Sequence, residues 1–122
     1  MSSCVIVCGG RNYQDRKFLF EQLDRAHKKS PFGFIVQGGA DGADFLAYEW
    51  ARSREISCLC IPAKWSRKGK AAGPSRNRAM LMLEPKAVIA FEGGRGTADM
   101  IRQALDAGIP VWEPCKTKTE EN

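Results

Sequence analysis

The chain has 122 residues, of which 43% are hydrophobic and 27% charged, with a formal net charge of +5. That length suits one domain, and the composition is that of a globular protein that needs neither disulfide nor metal to fold. No apolar run approaches the ~18 residues of a membrane span, and Met1-Ser2-Ser3 runs straight into a strand-like segment, so no signal peptide or membrane partner is expected. The expected location is the cytoplasm.

The five cysteines are Cys4, Cys8, Cys58, Cys60 and Cys115. They are odd in number and form no C-x-x-C pair. Cys4 and Cys8, and likewise Cys58 and Cys60, sit in short apolar runs, which reads as core thiols in a reducing compartment. The single histidine, His27, falls in a helical stretch away from any cysteine in sequence, so no metal site is expected.

In chain order, Cys4–Cys8 is a short apolar strand stopped by Gly9-Gly10. Gln14 to Lys29 follow with helical spacing, with Leu19, Leu23 and Ala26 on one face. Phe34-Ile35-Val36 is a second strand stopped by Gly38-Gly39. A helix from about Gly42 places Ala43, Ala47, Trp50 and Ala51 together. Cys58–Ile61 is a third strand, closed by Pro62. A polar loop from Ala63 to Ala72 leads to a helix opening at Gly73-Pro74, since proline is favoured in a first helical turn. Ala87–Phe91 is a fourth strand, stopped by Gly93-Gly94. Thr97 is expected to cap the next helix, with Ile101, Ala104 and Leu105 inward and Gly108 as its terminator. Ile109–Trp112 is the last strand. Trp50, Trp112 and the phenylalanines read as core.

Strand–helix alternation of this kind specifies an α/β fold. It is a single domain over residues 1–115, with a mostly parallel sheet of about five strands and helices on both faces, followed by a polar tail at 116–122.

Three strands end in paired glycines: Cys8-Gly9-Gly10-Arg11, Gln37-Gly38-Gly39-Ala40 and Glu92-Gly93-Gly94-Arg95-Gly96-Thr97. Strands of a parallel sheet end on one edge, where ligands bind. Glycine there lets a ligand approach the backbone, and each turn feeds a helix whose free N–H groups attract anions. Gly93 to Thr97 is the best phosphate candidate, with Gly94 and Gly96 exposing the backbone. Asp44, or Asp41, is placed to accept from a ribose hydroxyl, although Asp44 in a first helical turn also simply favours the helix dipole. Arg76 and Asn77, next to Gly73, combine a guanidinium fork for phosphate with an amide for a base or sugar. Lys64 to Lys70 is a basic loop in which Trp65 is placed to stack on a base or track a nucleic-acid backbone.

These motifs together resemble the SLOG superfamily, named for SMF/DprA and LOG proteins. The likeness rests on Cys8-Gly9-Gly10-Arg11-x-Tyr13-x-Asp15, Gly38-Gly39-Ala40-x-Gly42-Ala43-Asp44, Trp65 with Ala72-Gly73-Pro74-x-Arg76-Asn77, and Gly93-Gly94-Arg95-Gly96-Thr97-Ala98-Asp99-Met100. It extends from Val5 to Trp112 and is nearest to the short, single-domain YspA-like branch found in bacteria and phages. The resemblance implies a Rossmann-like fold and a pocket for nucleotides or nucleotide-derived signals, and, since members often pair into dimers, a homo-oligomer; no cofactor is expected. LOG members resemble phosphoribohydrolases that release the base from a nucleoside monophosphate. Their pattern has an arginine, matched by Arg76, and a glutamate three residues after Gly-Thr. Met100 stands at that glutamate position. Asp99 is one residue off, which in a helix is a rotation of about 100°. Arg76 and Asp44 are therefore the only catalytic candidates, and a binding module is the leading expectation. The hydrolase is the alternative, and a single-stranded nucleic-acid-binding role, as on the DprA side, is a further one.

Overall fold

The computed structural model describes residues 3–63 and 69–115. The elements run β1 (Cys4–Cys8), α1 (Arg16–Lys29), β2 (Phe34–Gln37), α2 (Ala43–Ser53), β3 (Ser57–Cys60), a 3-10 turn (Gly69–Ala71), α3 (Ala72–Leu81), β4 (Ala87–Ala90), α4 (Arg95–Asp106) and β5 (Val111–Trp112). The five strands form one sheet in the order β3-β2-β1-β4-β5, and all four pairings are parallel. The first two crossovers build the sheet outward on one side of β1. The chain then returns to pair β4 on the other side, and this reversal opens a crevice at the ends of β1 and β4.

The central strands are apolar on both sides because both faces are covered. On one face α1 and α2 pack Leu19, Leu23, Ala47 and Trp50 against Val5, Val7, Ile35 and Ile89. On the other, α3 and α4 pack Met80, Met100 and Ala104 against Cys4, Ile6, Val36 and Val88. Trp50 is fully buried, and its indole N–H donates to Asp24 Oδ1 at 2.8 Å, which satisfies the one polar atom burial would otherwise orphan.

Several expectations fail locally. The first turn of α4 begins at Arg95 with Gly94 as its N-cap and no side-chain cap, so Thr97 sits inside the helix rather than capping it. The helix turns Thr97, Met100 and Ala104 inward and leaves Leu105 60% exposed. Its apolar residues span an arc wider than the sheet can cover, and the sheet takes one side of it. Strands β3 and β5 are the sheet's edges, so Cys60 and Trp112 are exposed where a buried position was expected, as is Cys115 beyond β5. Phe45 points outward from α2 beside Tyr48 instead of joining the core. Helix α3 also starts at Ala72, one residue before Gly73, because a 3-10 turn leads into it.

Candidate functional site

The strand ends open onto a cavity of about 1160 Å³, a little above the ~300–1,000 Å³ usual for small-molecule sites. Its floor is made by the three paired-glycine turns. Gly9 and Gly10 follow β1, and Gly93 and Gly94 follow β4. Gly10 N–H donates to the Glu92 carbonyl at 2.9 Å, which ties the two turns together. A side chain at Gly93 would run into Thr97 Oγ1 and the Gly10 nitrogen, so this close approach requires glycine. At Gly94 and Gly96, by contrast, a Cβ would meet nothing, so those two face open space. The turn after β2 bends at Gly39, whose φ of +78° favours glycine.

Helices α2, α3 and α4 all start at this edge, and none has a side-chain cap. Helix α1 differs, since Asp15 Oδ1 accepts from Phe18 N–H at 3.1 Å. The Ala43 N–H of α2 is taken by the Gly10 carbonyl at 3.1 Å, and Pro74 in the first turn of α3 has no N–H, so the first turn of α4 offers the most open backbone donors, with the positive end of its helix dipole at this edge.

The wall between β2 and α3 is polar and tightly organised. Arg76 Nη1 donates to the Gly38 carbonyl at 2.9 Å, and Arg76 Nε donates to Asn77 Oδ1 at 2.9 Å. The guanidinium is thereby held flat against the Gly38 turn. Asp44 is 5% exposed, and its Oδ2 accepts from Ala40 N–H at 3.2 Å. Burial pushes its carboxyl above the ordinary range, and the Ala40 and Gly38 N–H groups together with the charges of Arg76 and Arg11 offset part of that rise. Asp44 thus serves as a buried acceptor that shapes the turn, and it also lines the cavity.

All the residues expected to bind ligand line this cavity except Trp65: Gly9, Gly10 and Arg11 after β1; Gly38, Gly39, Ala40 and Asp44 around β2; Gly73, Arg76 and Asn77 on α3; and Gly93, Gly94, Gly96 and Thr97 at α4. Trp65, with Lys64 to Lys68 of the basic loop, lies outside the described residues. Asn77 is 3% exposed and its amide is already engaged, so it braces the wall rather than offering a hydrogen bond to a base. Thr97 is 8% exposed, on the wall beneath the Gly93 turn. Met100, at the glutamate position of the hydrolase pattern, is buried in the core and does not reach the cavity, and neither does Asp99.

The structure adds residues that the sequence reading left unassigned. Tyr13 and Phe18 line the β1 end of the cavity and both pack on buried Phe91, at ring distances of 5.5 and 6.4 Å. The Arg11-x-Tyr13-x-Asp15 spacing carried that signal. Burial, then the charges of Asp15 and Glu92, push the Tyr13 phenol up to about 12, which keeps it protonated as a donor. Cys8 also lines the cavity. Burial, with the charge of Asp44 next, raises its thiol to about 12, so it stays protonated and is a poor nucleophile. No group of three or more metal-ligating side chains converges among the described residues. No described helix is long and apolar enough to cross a membrane.

The strand order, the crevice at its reversal and the glycine turns that line it place the chain among Rossmann-like domains of the SLOG type. The chain belongs to the YspA, cpYpsA-related SLOG family, whose model matches residues 4–68. It is similar to the Gene 61 protein of Mycobacterium phage D29, 37% identical over 115 residues that cover 88% of this chain and 92% of that protein. Among solved structures it resembles DNA processing protein A (DprA) from Streptococcus pneumoniae, with a TM-score of 0.76 at 20% identity over 98% of this chain. The chain spans about half of that DprA structure, 53%. At this identity the likeness concerns the fold.

Proposed function

We propose that the protein is a binding module, a sensor or sequestering protein, for a phosphate-bearing nucleotide or nucleotide-derived small molecule. The observation that carries this reading is the meeting of the open first turn of α4 and the anchored Arg76 on one glycine-floored cavity, at the edge where α2 and α3 also begin. A phosphate gains there from helix dipoles, backbone N–H groups and a guanidinium at once. Tyr13 and Phe18 supply an apolar wall suited to a base.

Binding is favoured over hydrolysis because cleavage of an N-glycosidic bond needs a group to stabilise the developing ribose charge and activate water. Met100 is a buried thioether, Asp99 is outside the cavity, and Cys8 is protonated. Of the carboxylates that line the cavity, Asp44 is buried and committed to the Ala40 turn and Asp15 caps α1, while Asp41 and Glu92 are exposed to solvent. Among the described residues the cavity's lining carries arginines alongside several carboxylates rather than a uniformly basic surface, which favours a small phosphorylated ligand over a nucleic-acid track.

Thermal-shift screening against a panel of nucleoside mono-, di- and triphosphates and their unphosphorylated nucleosides tests the reading. A ligand at 100 times its Kd adds about 2.7 kcal/mol of stability. Stabilisation by phosphorylated members only is the expected result. Equal shifts with nucleosides, or none with any member, would remove the basis for a phosphate site.

A further inference from the structure

Asp99 lies outside the cavity, yet it anchors the chain of hydrogen bonds that ends at Arg76. Its Oδ2 accepts from Asn77 Nδ2 at 3.0 Å and from Gln103 Nε2 at 2.7 Å. Its Oδ1 pairs with Arg102 at 2.7 Å, one turn along the surface of α4. Gln103 reaches on to the Pro74 carbonyl at 3.1 Å, in the first turn of α3. Asn77 is the central link. Its Nδ2 also donates to the Gly96 carbonyl at 3.1 Å, and its Oδ1 accepts from Arg76 Nε.

An amide has two distinguishable ends, and its partners decide which way it faces. The Gly96 carbonyl and the Asp99 carboxylate only accept, so both require the NH₂ end. Asn77 Oδ1 is thereby left facing Arg76 Nε, which can only donate. The same amide holds the Gly96 carbonyl, and Gly96 belongs to the turn that opens α4. We infer that Asp99, acting through Asn77, is a positioning residue for the proposed phosphate site. Together with the Gly96 carbonyl it sets the polarity of the Asn77 amide, and so holds the Arg76 fork and the Gly93–Thr97 turn relative to each other.

This inference rests on the phosphate-binding reading for its consequence but not for its geometry. Burial raises the Asp99 carboxyl, but hydrogen bonds from Asn77, Gln103 and Arg102 outweigh it and hold it below the ordinary range, so the acceptor is ionised at neutral pH. A helix-surface carboxylate paired only with Arg102 would explain neither the two amide donors on Oδ2 nor their link to a cavity wall.

The test compares Asp99→Ala with Asp99→Asn in the full chain. Asparagine keeps an acceptor for Asn77 and loses the charge, whereas alanine loses both. The first readout needs no ligand: the Arg76 Nε–H signal in ¹⁵N NMR, assigned by its loss in Arg76→Ala. In Asp99→Ala that signal should shift toward, and exchange like, a solvated arginine, and in Asp99→Asn it should stay near its wild-type position. The second readout is titration with AMP and adenosine. Asp99→Ala should weaken AMP by roughly tenfold, the loss of about one charge-assisted hydrogen bond, while adenosine changes little and Asp99→Asn retains AMP binding. If Asp99→Ala does not fold, Asp99→Ser, whose side chain is too short to reach the Asn77 amide, replaces it, and the Arg76 signal should shift in the same way. An unchanged Arg76 signal in a folded Asp99→Ala or Asp99→Ser variant overturns the inference, as does equal loss in the alanine and asparagine variants. If wild type binds no AMP, the phosphate reading fails, while the Arg76 signal still decides the positioning role.

Discussion

Two adjacent glycines should respond in opposite ways to substitution, and the difference can be worked from the turn itself. At Gly93 a Cβ would lie 2.6 Å from the Gly10 nitrogen and 2.9 Å from the Gly9 carbonyl carbon, in addition to its clash with Thr97. Two of these neighbours are backbone and cannot rotate away. Gly93→Ala should therefore cost stability on the scale of an overpacked core, about 1–3 kcal/mol. That corresponds to a fall in Tm on the order of 4 °C per kcal/mol for a small domain. Gly94 is next in sequence, but a Cβ there meets nothing within 4 Å, and its φ is negative. Gly94→Val should cost only the N-cap preference for glycine, on the order of 1 kcal/mol or less. Its branched side chain would nonetheless occupy the space in front of the α4 N-terminus. If a phosphate sits there, AMP binding should fall by tenfold or more while the fold survives. Differential scanning fluorimetry and calorimetric titration of both variants read the two effects separately. A Gly94→Val protein that folds and binds AMP as wild type does would refute the placement of the phosphate. A Gly93→Ala protein as stable as wild type would refute the packing argument.

Arg76→Ala should weaken a nucleoside monophosphate by roughly ten- to a hundred-fold, from ~1.5–3 kcal/mol for a charge-assisted hydrogen bond, with far less effect on the nucleoside. Calorimetry on both ligands checks it, and equal losses would contradict a phosphate contact. Asp44 has a raised folded-state carboxyl, so what it contributes to stability is greatest below the unfolded value near 3.8 and declines as pH rises through its folded value. Asp44→Asn should remove that decline, so urea titrations from pH 4 to 7 should show the variant gaining on wild type as pH rises. A variant that loses ground to wild type as pH rises would contradict the sign. Cys8 should resist alkylation at pH 8 while exposed Cys60 and Cys115 react, read by mass spectrometry of labelled peptides.

The order of elements was legible because glycine pairs punctuate the strands and apolar runs fill a sheet buried on both faces. The cavity's glycines were legible for the same reason, since a parallel sheet brings three such turns to one edge. Edge positions were not legible. Cys60 and Trp112 sit in runs as apolar as those of β1, and only the strand order reveals that β3 and β5 lack a neighbour on one side. The facing of α4 was misjudged because Met100, Ile101, Ala104 and Leu105 fit two overlapping helical stripes, and the sheet alone chooses between them. The tie between Asp99 and Arg76 crosses two helices separated by a strand, a relation that spacing along the chain does not encode. Tyr13 and Phe18 were visible as motif and helix residues, but their place on the cavity wall depends on Phe91 beneath them.

The central claim, binding of a phosphorylated nucleotide without its cleavage, is open to one measurement: the ³¹P NMR spectrum of AMP during prolonged incubation with the protein. The account predicts that the AMP phosphate signal shifts or broadens as protein is added, that adenosine competes poorly for the site, and that AMP remains intact. An AMP signal untouched by the protein would contradict the phosphate site. Its replacement by ribose 5-phosphate, at the ~1 s⁻¹ or faster typical of enzymes, would make the protein a hydrolase.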